Sequence, residues 1–198
     1  MSETIVHEIS PVWDEESRVL ILGTLPSPKS RENGFFYMHP QNRFWEVIFT
    51  VFGEKLNFPN KALKKISASE RLEAINERRD FLIRHKIALW DVLKQCDISG
   101  ASDASIKNAV PNDFTEILSR SKIRHIFCTG KTAFALWKKH CSSVYEERFA
   151  LKAACLPSTS PANAAWSVEN LVAEYSKINN LGQDFSFTSQ SDFSSGQS

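Results

Sequence analysis

The sequence predicts an α/β fold around a largely parallel sheet, and three observations predict it. Four short apolar runs rich in β-branched residues are spread along the chain, each run ends in small or turn-forming residues, and segments with apolar residues at helical spacing lie between them. Strands that alternate with helices build parallel sheets, whose ligands are expected at the C-terminal edge of the strands. With 198 residues, 42% hydrophobic and 24% charged, the chain suits one domain with a sizeable core, at roughly 100–200 residues per domain.

Residues 1–17 form an acidic opening segment with five acids and no Lys or Arg. It has no basic region followed by an apolar run and is too acidic for a mitochondrial presequence, so it reads as neither kind of targeting signal. The first strand, RVLILGT, spans residues 18–24. A long connection follows, residues 23–45, and then a helix over 42–52 with Phe44, Val47, Ile48 and Val51 on one face. A helix over 69–84 precedes the strand KIALWDVL (86–93). A helix over 112–121 precedes KIRHIFCTG (122–130), and one over 131–141 precedes FALKAACLPS (149–158). The last helix is expected over 162–178, with Ser160 as N-cap and Pro161 at the first helical position. This bounds a domain at 18–180. Residues 181–198 read as a flexible tail, since 182–198 hold six Ser, two Gly and three Phe without a sustained period. Phe185, Phe187 and Phe193 there are either a partner-binding peptide or part of an unstructured end.

Cys96, Cys128, Cys141 and Cys155 form no C-x-x-C pair, so no zinc or thioredoxin-type motif is written, and they read as reduced, mostly buried thiols. No apolar run approaches the ~20 residues that span a bilayer. An intracellular protein without a membrane partner is expected, cytoplasmic and nucleoid-associated or nuclear.

The formal net charge of +1 argues against a whole-chain basic coat and, taken alone, against nucleic acid. Charge by segment removes that objection. The opening 17 residues carry −5 and residues 158–198 carry one Lys against four acids, so the ends total −8 and the middle is +9. Its basic residues, interleaved with Phe and Trp, are either a scattered solvated surface or a face for a polyanion.

Thr129, Gly130, Lys131 and Thr132 resemble the end of a phosphate-binding loop, G-x-x-x-x-G-K-[S/T]. The first glycine of that pattern falls on His125, and the residues between are strand-like, so a tight strand-to-helix turn at Gly130 is the better reading.

The connection 23–45 is long enough to be functional. It carries Ser27, Lys29, Ser30 and Arg31, donors suited to phosphate oxygens, then Phe36 and Tyr37, then His39 and Asn42. Aromatic faces beside phosphate donors suit a stacked base on a held backbone, although Phe36 and Tyr37 equally suit a core plug and Asn42 equally suits a helix N-cap. The first and last strands both end in Leu-Pro-Ser, at 25–27 and 156–158. Two such loops at one sheet edge can pinch a polyanionic backbone, the second against a helix N-terminus.

The elements G-T-L-P-S-x-x-S (23–30), H-P-Q-N-R-F-W (39–45) and L-P-S-T-S-P-A-N (156–163) resemble the hypoxanthine (deoxyinosine) DNA glycosylases, a branch of the uracil-DNA glycosylase superfamily. The likeness covers about residues 18–178, strand order and spacing included. H-P-x-N-x-F-W also occurs in mismatch-specific uracil glycosylases and marks the superfamily, while L-P-S-T-S-P-A-N points to the hypoxanthine branch. The resemblance implies a three-layer α/β/α sandwich with a short central, mainly parallel, four-stranded sheet, no metal and no cofactor. In most of the superfamily an Asp or Asn just after the first strand positions water. Thr24 and Leu25 stand there and cannot activate water, which fits the hypoxanthine branch, where the role moves to the residue matching Asn42.

The expectations follow from that resemblance. Asn42 is the catalytic residue, orienting water through its carbonyl or bonding the base or sugar, because a neutral amide is no general base. Gly23, Thr24, Phe36, Tyr37, His39 and Asn163 form the base pocket. Ser27, Ser30, Ser158, Thr159, Ser160, Pro161 and Ala162 hold DNA phosphates or wedge towards the vacated stack. The motifs place no Lys as a Schiff-base nucleophile, so a monofunctional enzyme leaving an abasic site is expected, acting as a monomer on double-stranded DNA with a deaminated base, with single-stranded DNA as a second form. A uracil or G:U/G:T mismatch glycosylase, a non-catalytic damage-binding module and a phosphotransferase are the alternatives, in that order.

Overall fold

Glu3–Val6 forms β1 and Val19–Gly23 forms β2, the latter with all five residues buried. The computed structural model describes residues 3–99 and 105–183. The chain continues through α1 (Pro28–Asn33), α2 (Phe44–Val51), a 3-10 turn (Asn60–Ala62) and α3 (Ala68–Arg84) to β3 (Ile87–Asp91), β4 (Leu93–Ile98) and β5 (Lys107–Pro111). Then come α4 (Thr115–Arg120), β6 (His125–Thr129), α5 (Lys131–His140), α6 (Ser142–Tyr145), β7 (Ala153–Leu156) and α7 (Val168–Gln183).

The four expected strands form one parallel sheet in the order β3-β2-β6-β7. Successive residues of β2 feed two cores. Val19 and Ile21 pack with α2, α3 and α7 through Phe44, Phe81 and Tyr175. Leu20 and Leu22 pack with α4, α5 and α6 through Ile117, Trp137 and Tyr145. This is the expected three-layer sandwich, and burial on both faces is why β2, β3 and β6 read as continuous apolar runs. Caps set the helix starts: Ser67 Oγ accepts from Glu70 N–H while the Glu70 carboxylate accepts from Ser67 N–H, opening α3. Gly130, at φ +102°, makes the turn into α5, and a Cβ there would stand 3.1 Å from Ser158 Cβ. The Gly-Lys-Thr sequence is therefore a strand-to-helix turn after a regular strand.

A second, antiparallel sheet, β1-β4-β5, was not expected. Two register shifts against β5 interrupt β4, so its buried residues, Leu93, Cys96 and Ile98, break strict alternation and hide the period of a strand. Through Ile5 and Cys96 this sheet packs onto the core that holds α4 and α5.

Three local expectations are corrected. The connection 23–45 contains α1, capped by Ser27 Oγ, which accepts from Ser30 N–H, with Pro28 in the first turn. Residues 112–114 precede α4, and Asn112 Nδ2 donates to Asp91 O instead of entering a helix. The last helix starts at Val168, not at residue 162. Ser160 and Pro161 belong to a turn in which Ser160 Oγ accepts from Ala162 N–H and Ser160 O from Asn163 N–H. Arg43 takes the following carbonyls, and Ser167 Oγ accepts from Asn170 N–H at the true start. Residues 184–198, with Phe185, Phe187 and Phe193, lie outside the described residues.

Candidate active site

A cavity of about 210 Å³ opens at the C-terminal edge of the parallel sheet. The ends of β2, β3 and β6 supply Gly23, Asp91 and Thr129 to it. The two Leu-Pro-Ser loops converge on it, with Ser27 from the first and Ser158 and Ser160 from the second. Thr24, Ser30, Phe36, Tyr37, Asn42 and Thr159 complete the set of expected residues in its wall. His39, Pro161, Ala162 and Asn163 are not in that lining. His39 Nδ1 accepts from Gln41 N–H, and Asn163 Nδ2 donates to Ser158 O, so both brace their own loops.

Asn42 stands just ahead of α2. Its Oδ1 accepts from Phe44 N–H at 2.9 Å and from Thr159 Oγ1 at 3.0 Å. An amide oxygen has two lone pairs, so both are engaged, and the NH₂ is the end left for a ligand. Asn42 is not the N-cap of α2, a place taken by Arg43 without a side-chain cap bond, because the helix starts one residue later at Phe44; Asn42 instead ties the entry of α2 to the last loop, and it lines the cavity. A second depression, of about 430 Å³, is also lined by Asn42, together with residues of α2 and Asn60.

The floor of the cavity is crowded and polar. Tyr37, at φ 54°, stacks on Phe44 at 4.1 Å and shares a 2.8 Å hydrogen bond between Oη and Thr129 Oγ1. Burial, and then the nearby Asp91 charge, push its phenol well above the ordinary tyrosine range, so it stays protonated. Asp91 is 3% exposed, and His7 Nε2 stands 2.8 Å from its Oδ2. A Cβ built on Gly23 would collide with Asp91 Oδ1 and stand 2.8 Å from Tyr37 Oη. Glycine here is a requirement of close approach.

The serines divide by role. Ser30 is 2% exposed and its Oγ accepts from Met38 N–H and bonds Ser27 Oγ, so it shapes the loop. Thr159 is 1% exposed and faces Asn42. Ser27, Ser158 and Ser160 are half-buried at the cavity wall.

Four residues went unassigned in the sequence reading. Arg43 donates to Thr159 O, Ser160 O, Asn163 O and Trp166 O, clamping the last loop onto the start of α2. Asn60 Nδ2 reaches Tyr37 O, His39 O and Asn42 O, while its Oδ1 accepts from buried Arg78, which also lies over the Trp45 ring. The Asp91–His7 pair is the third such feature. Arg43 sits inside H-P-Q-N-R-F-W, and Asp91 is an acid at the C-terminal end of a strand; those were the available signals. Nothing local marks His7 or Asn60. Among the described residues there is no group of three or more His, Cys, Asp or Glu that could hold a metal ion, and no helix long and apolar enough to cross a membrane.

The family model for the uracil DNA glycosylase superfamily matches residues 11–181. The chain is 37% identical over 105 residues to the hypoxanthine DNA glycosylase of Methanosarcina barkeri, a match that covers 53% of this chain and 58% of that protein's length. It is 29% identical over 168 residues to the hypoxanthine DNA glycosylase of Methanosarcina acetivorans, covering 84% of this chain and 93% of that one. A solution NMR structure from Methanosarcina acetivorans, described as a candidate uracil DNA glycosylase, superposes with a TM-score of 0.68 at 25% identity, covering 91% of this chain and 99% of that one.

Proposed function

The chain belongs to the uracil DNA glycosylase superfamily, and from that premise we propose that it is a monofunctional DNA glycosylase that removes a deaminated base, hypoxanthine first, and leaves an abasic site. The observation that carries this reading is Asn42, which lines the cavity with its oxygen held by Phe44 N–H and Thr159 Oγ1, so that its NH₂ is the end left to bond a ligand, whereas Thr24 and Leu25, just after β2, carry no carboxylate or amide. The identity of the two archaeal relatives favours hypoxanthine.

The target base sits inside a stack, so it must be extruded, at a cost of a few kcal/mol that is smaller for a mispaired base. Ser27, Ser158 and Ser160 hold the flanking phosphates while the base enters the cavity beside Tyr37. Breaking the glycosidic bond leaves an oxocarbenium-like sugar and a purine that takes the bonding pair. The Asn42 NH₂ donates to that purine; a water adds to the sugar carbon through one lone pair, and the proton it sheds passes through solvent to the purine, so that the base leaves neutral and the sugar keeps a hydroxyl. Donors fixed before the reaction stabilise developing charge without reorganising, which is where such a site gains most. Asp91 gives the cavity an acceptor, which suits the ring N–H of hypoxanthine and equally that of uracil; uracil is therefore the second substrate.

The test is a gel assay of labelled duplexes carrying inosine or uracil, treated with alkali after incubation, with Asn42→Ala beside the parent. Cleavage at inosine by the parent and its loss in the variant is the expected result. Binding without product from any lesion would leave a damage-binding module instead.

A further inference from the structure

The residues matched by the family model begin at 11, yet the cavity is completed by a segment that precedes them. Glu3 and Ile5 of β1 line it, and His7, just beyond that strand, holds Asp91. We infer that His7 is a positioning residue for base recognition: it fixes the Asp91 carboxylate so that one oxygen is kept for the ring N–H that deamination creates. This rests on the glycosylase reading above.

The placement of His7 is determined from several sides. Its backbone N–H donates to Lys94 O at 2.8 Å, so the second sheet sets its height. Its ring packs 5.9 Å from Phe36 and 6.4 Å from Trp90, and the side chain is 1% exposed. Nε2 donates to Asp91 Oδ2, which leaves Oδ1 leaning over Gly23 beside Tyr37 Oη. A hydrogen bond to one oxygen restrains the rotation of the carboxylate, and a carboxylate only accepts hydrogen bonds.

Deamination of adenine turns ring N1 from an acceptor into an N–H donor, and deamination of cytosine does the same at N3. An oriented carboxylate therefore attracts hypoxanthine and uracil and repels the lone pair that adenine and cytosine present in the same place. A site built to bond one edge rejects the analogue lacking it strongly, because its own polar group is left unpaired. Without His7 the carboxylate can turn away, and selection of the deaminated edge is lost.

The experiment compares His7→Gln, whose Nε2 can still reach Asp91, with His7→Asn, whose amide falls short. Single-turnover base release from an inosine duplex is measured with enzyme in excess, beside affinity for a duplex carrying a tetrahydrofuran abasic analogue. Loss of one charge-assisted hydrogen bond at a reading group should slow His7→Asn by about 10-fold or more, with His7→Gln restoring the rate to within about threefold and abasic-analogue affinity unchanged in both. Equal rates in the two variants, or parallel loss of abasic-analogue binding, overturns the inference. The unaltered protein supplies a second measurement that depends on no variant: with ¹⁵N-labelled histidine, the His7 ring signals should move on adding free hypoxanthine and not on adding adenine. No movement with hypoxanthine overturns the inference as well. A parent that releases no base from any duplex overturns the glycosylase reading instead, while the spectra still judge His7.

Discussion

Thr159 Oγ1 donates a 3.0 Å hydrogen bond to Asn42 Oδ1 across 117 residues of chain. It joins the loop after β7 to the residue that opens α2, so the two motif-bearing loops share one hydrogen-bond system at the cavity. Which end of the Asn42 amide faces a ligand is decided by this bond and by Phe44 N–H.

That arrangement separates an anchor from a catalyst. Asn42→Asp keeps an oxygen for both donors but loses the NH₂. If Asn42 only ties the loops together, the variant should match the parent. We expect base release to slow by about 100-fold or more, as when one preorganised donor is removed, with duplex affinity little changed. Thr159→Val should cost about 1 kcal/mol of stability and slow release less than Asn42→Asp does, because the amide keeps its Phe44 bond. Single-turnover rates and thermal melts of the three proteins check both statements; an Asn42→Asp enzyme at parental rate would reduce Asn42 to an anchor between the two loops.

Gly23→Ala tests the close approach on the cavity floor. The added Cβ meets Asp91 Oδ1 and Tyr37 Oη, and its backbone is ordinary strand, so the penalty arises from contact alone. Asp91 is pinned by His7 and has little room to yield. The expected result is a folded protein, destabilised by about 1–3 kcal/mol from overpacking, whose base release falls far more than its affinity for abasic-analogue duplex. Parental activity would show that the carboxylate is free to move.

Much of this was legible before any coordinates. The parallel sheet announced itself because β2, β3 and β6 are buried on both faces, which writes short continuous apolar runs into the chain. The convergence of residues 25–27 and 156–158 followed from strand ends sharing one sheet edge. What stayed hidden has physical causes. In β4 the register shifts erase alternation. Ser160 and Pro161 carry good local capping chemistry, but Arg43, more than 110 residues away, competes for the carbonyls that a helix would use. His7 and Asp91 are 84 residues apart and meet only because an unrecognised sheet brings β1 alongside β4. Pairings made by tertiary structure leave no periodic trace.

Arg43→Lys probes the clamp on the last loop. The guanidinium serves four carbonyls, those of Thr159, Ser160, Asn163 and Trp166. A lysine has one nitrogen and cannot reproduce that spread. Leaving half-buried carbonyls unpaired should lower stability by about 1–3 kcal/mol. Ser158 and Ser160 lie on this loop and carry no charge, so affinity for duplex should weaken too, by a similar factor at low and at high salt. Melting curves and salt titrations of binding measure the two effects; weakened stability with parental binding would mean the loop does not meet DNA.

The last prediction concerns pH. Tyr37, Tyr145 and Tyr175 are the chain's three tyrosines, and burial raises the phenol of each. Tyr175 Oη donates to Pro157 O beneath the last loop, and Tyr37 closes the cavity floor, so ionising either would place a charge inside the core. The folded state therefore keeps its phenolic protons where the unfolded chain has begun to lose them. Protons bound by the folded state exceed those bound by the unfolded state above about pH 10, so the contribution to stability is complete below that pH and is lost as pH climbs beyond it. Phenolate absorbance should stay low near pH 10, where an ordinary tyrosine is half ionised, and then rise together with the loss of circular dichroism. A smooth titration of all three phenols near pH 10 in a protein that is still folded would contradict their burial.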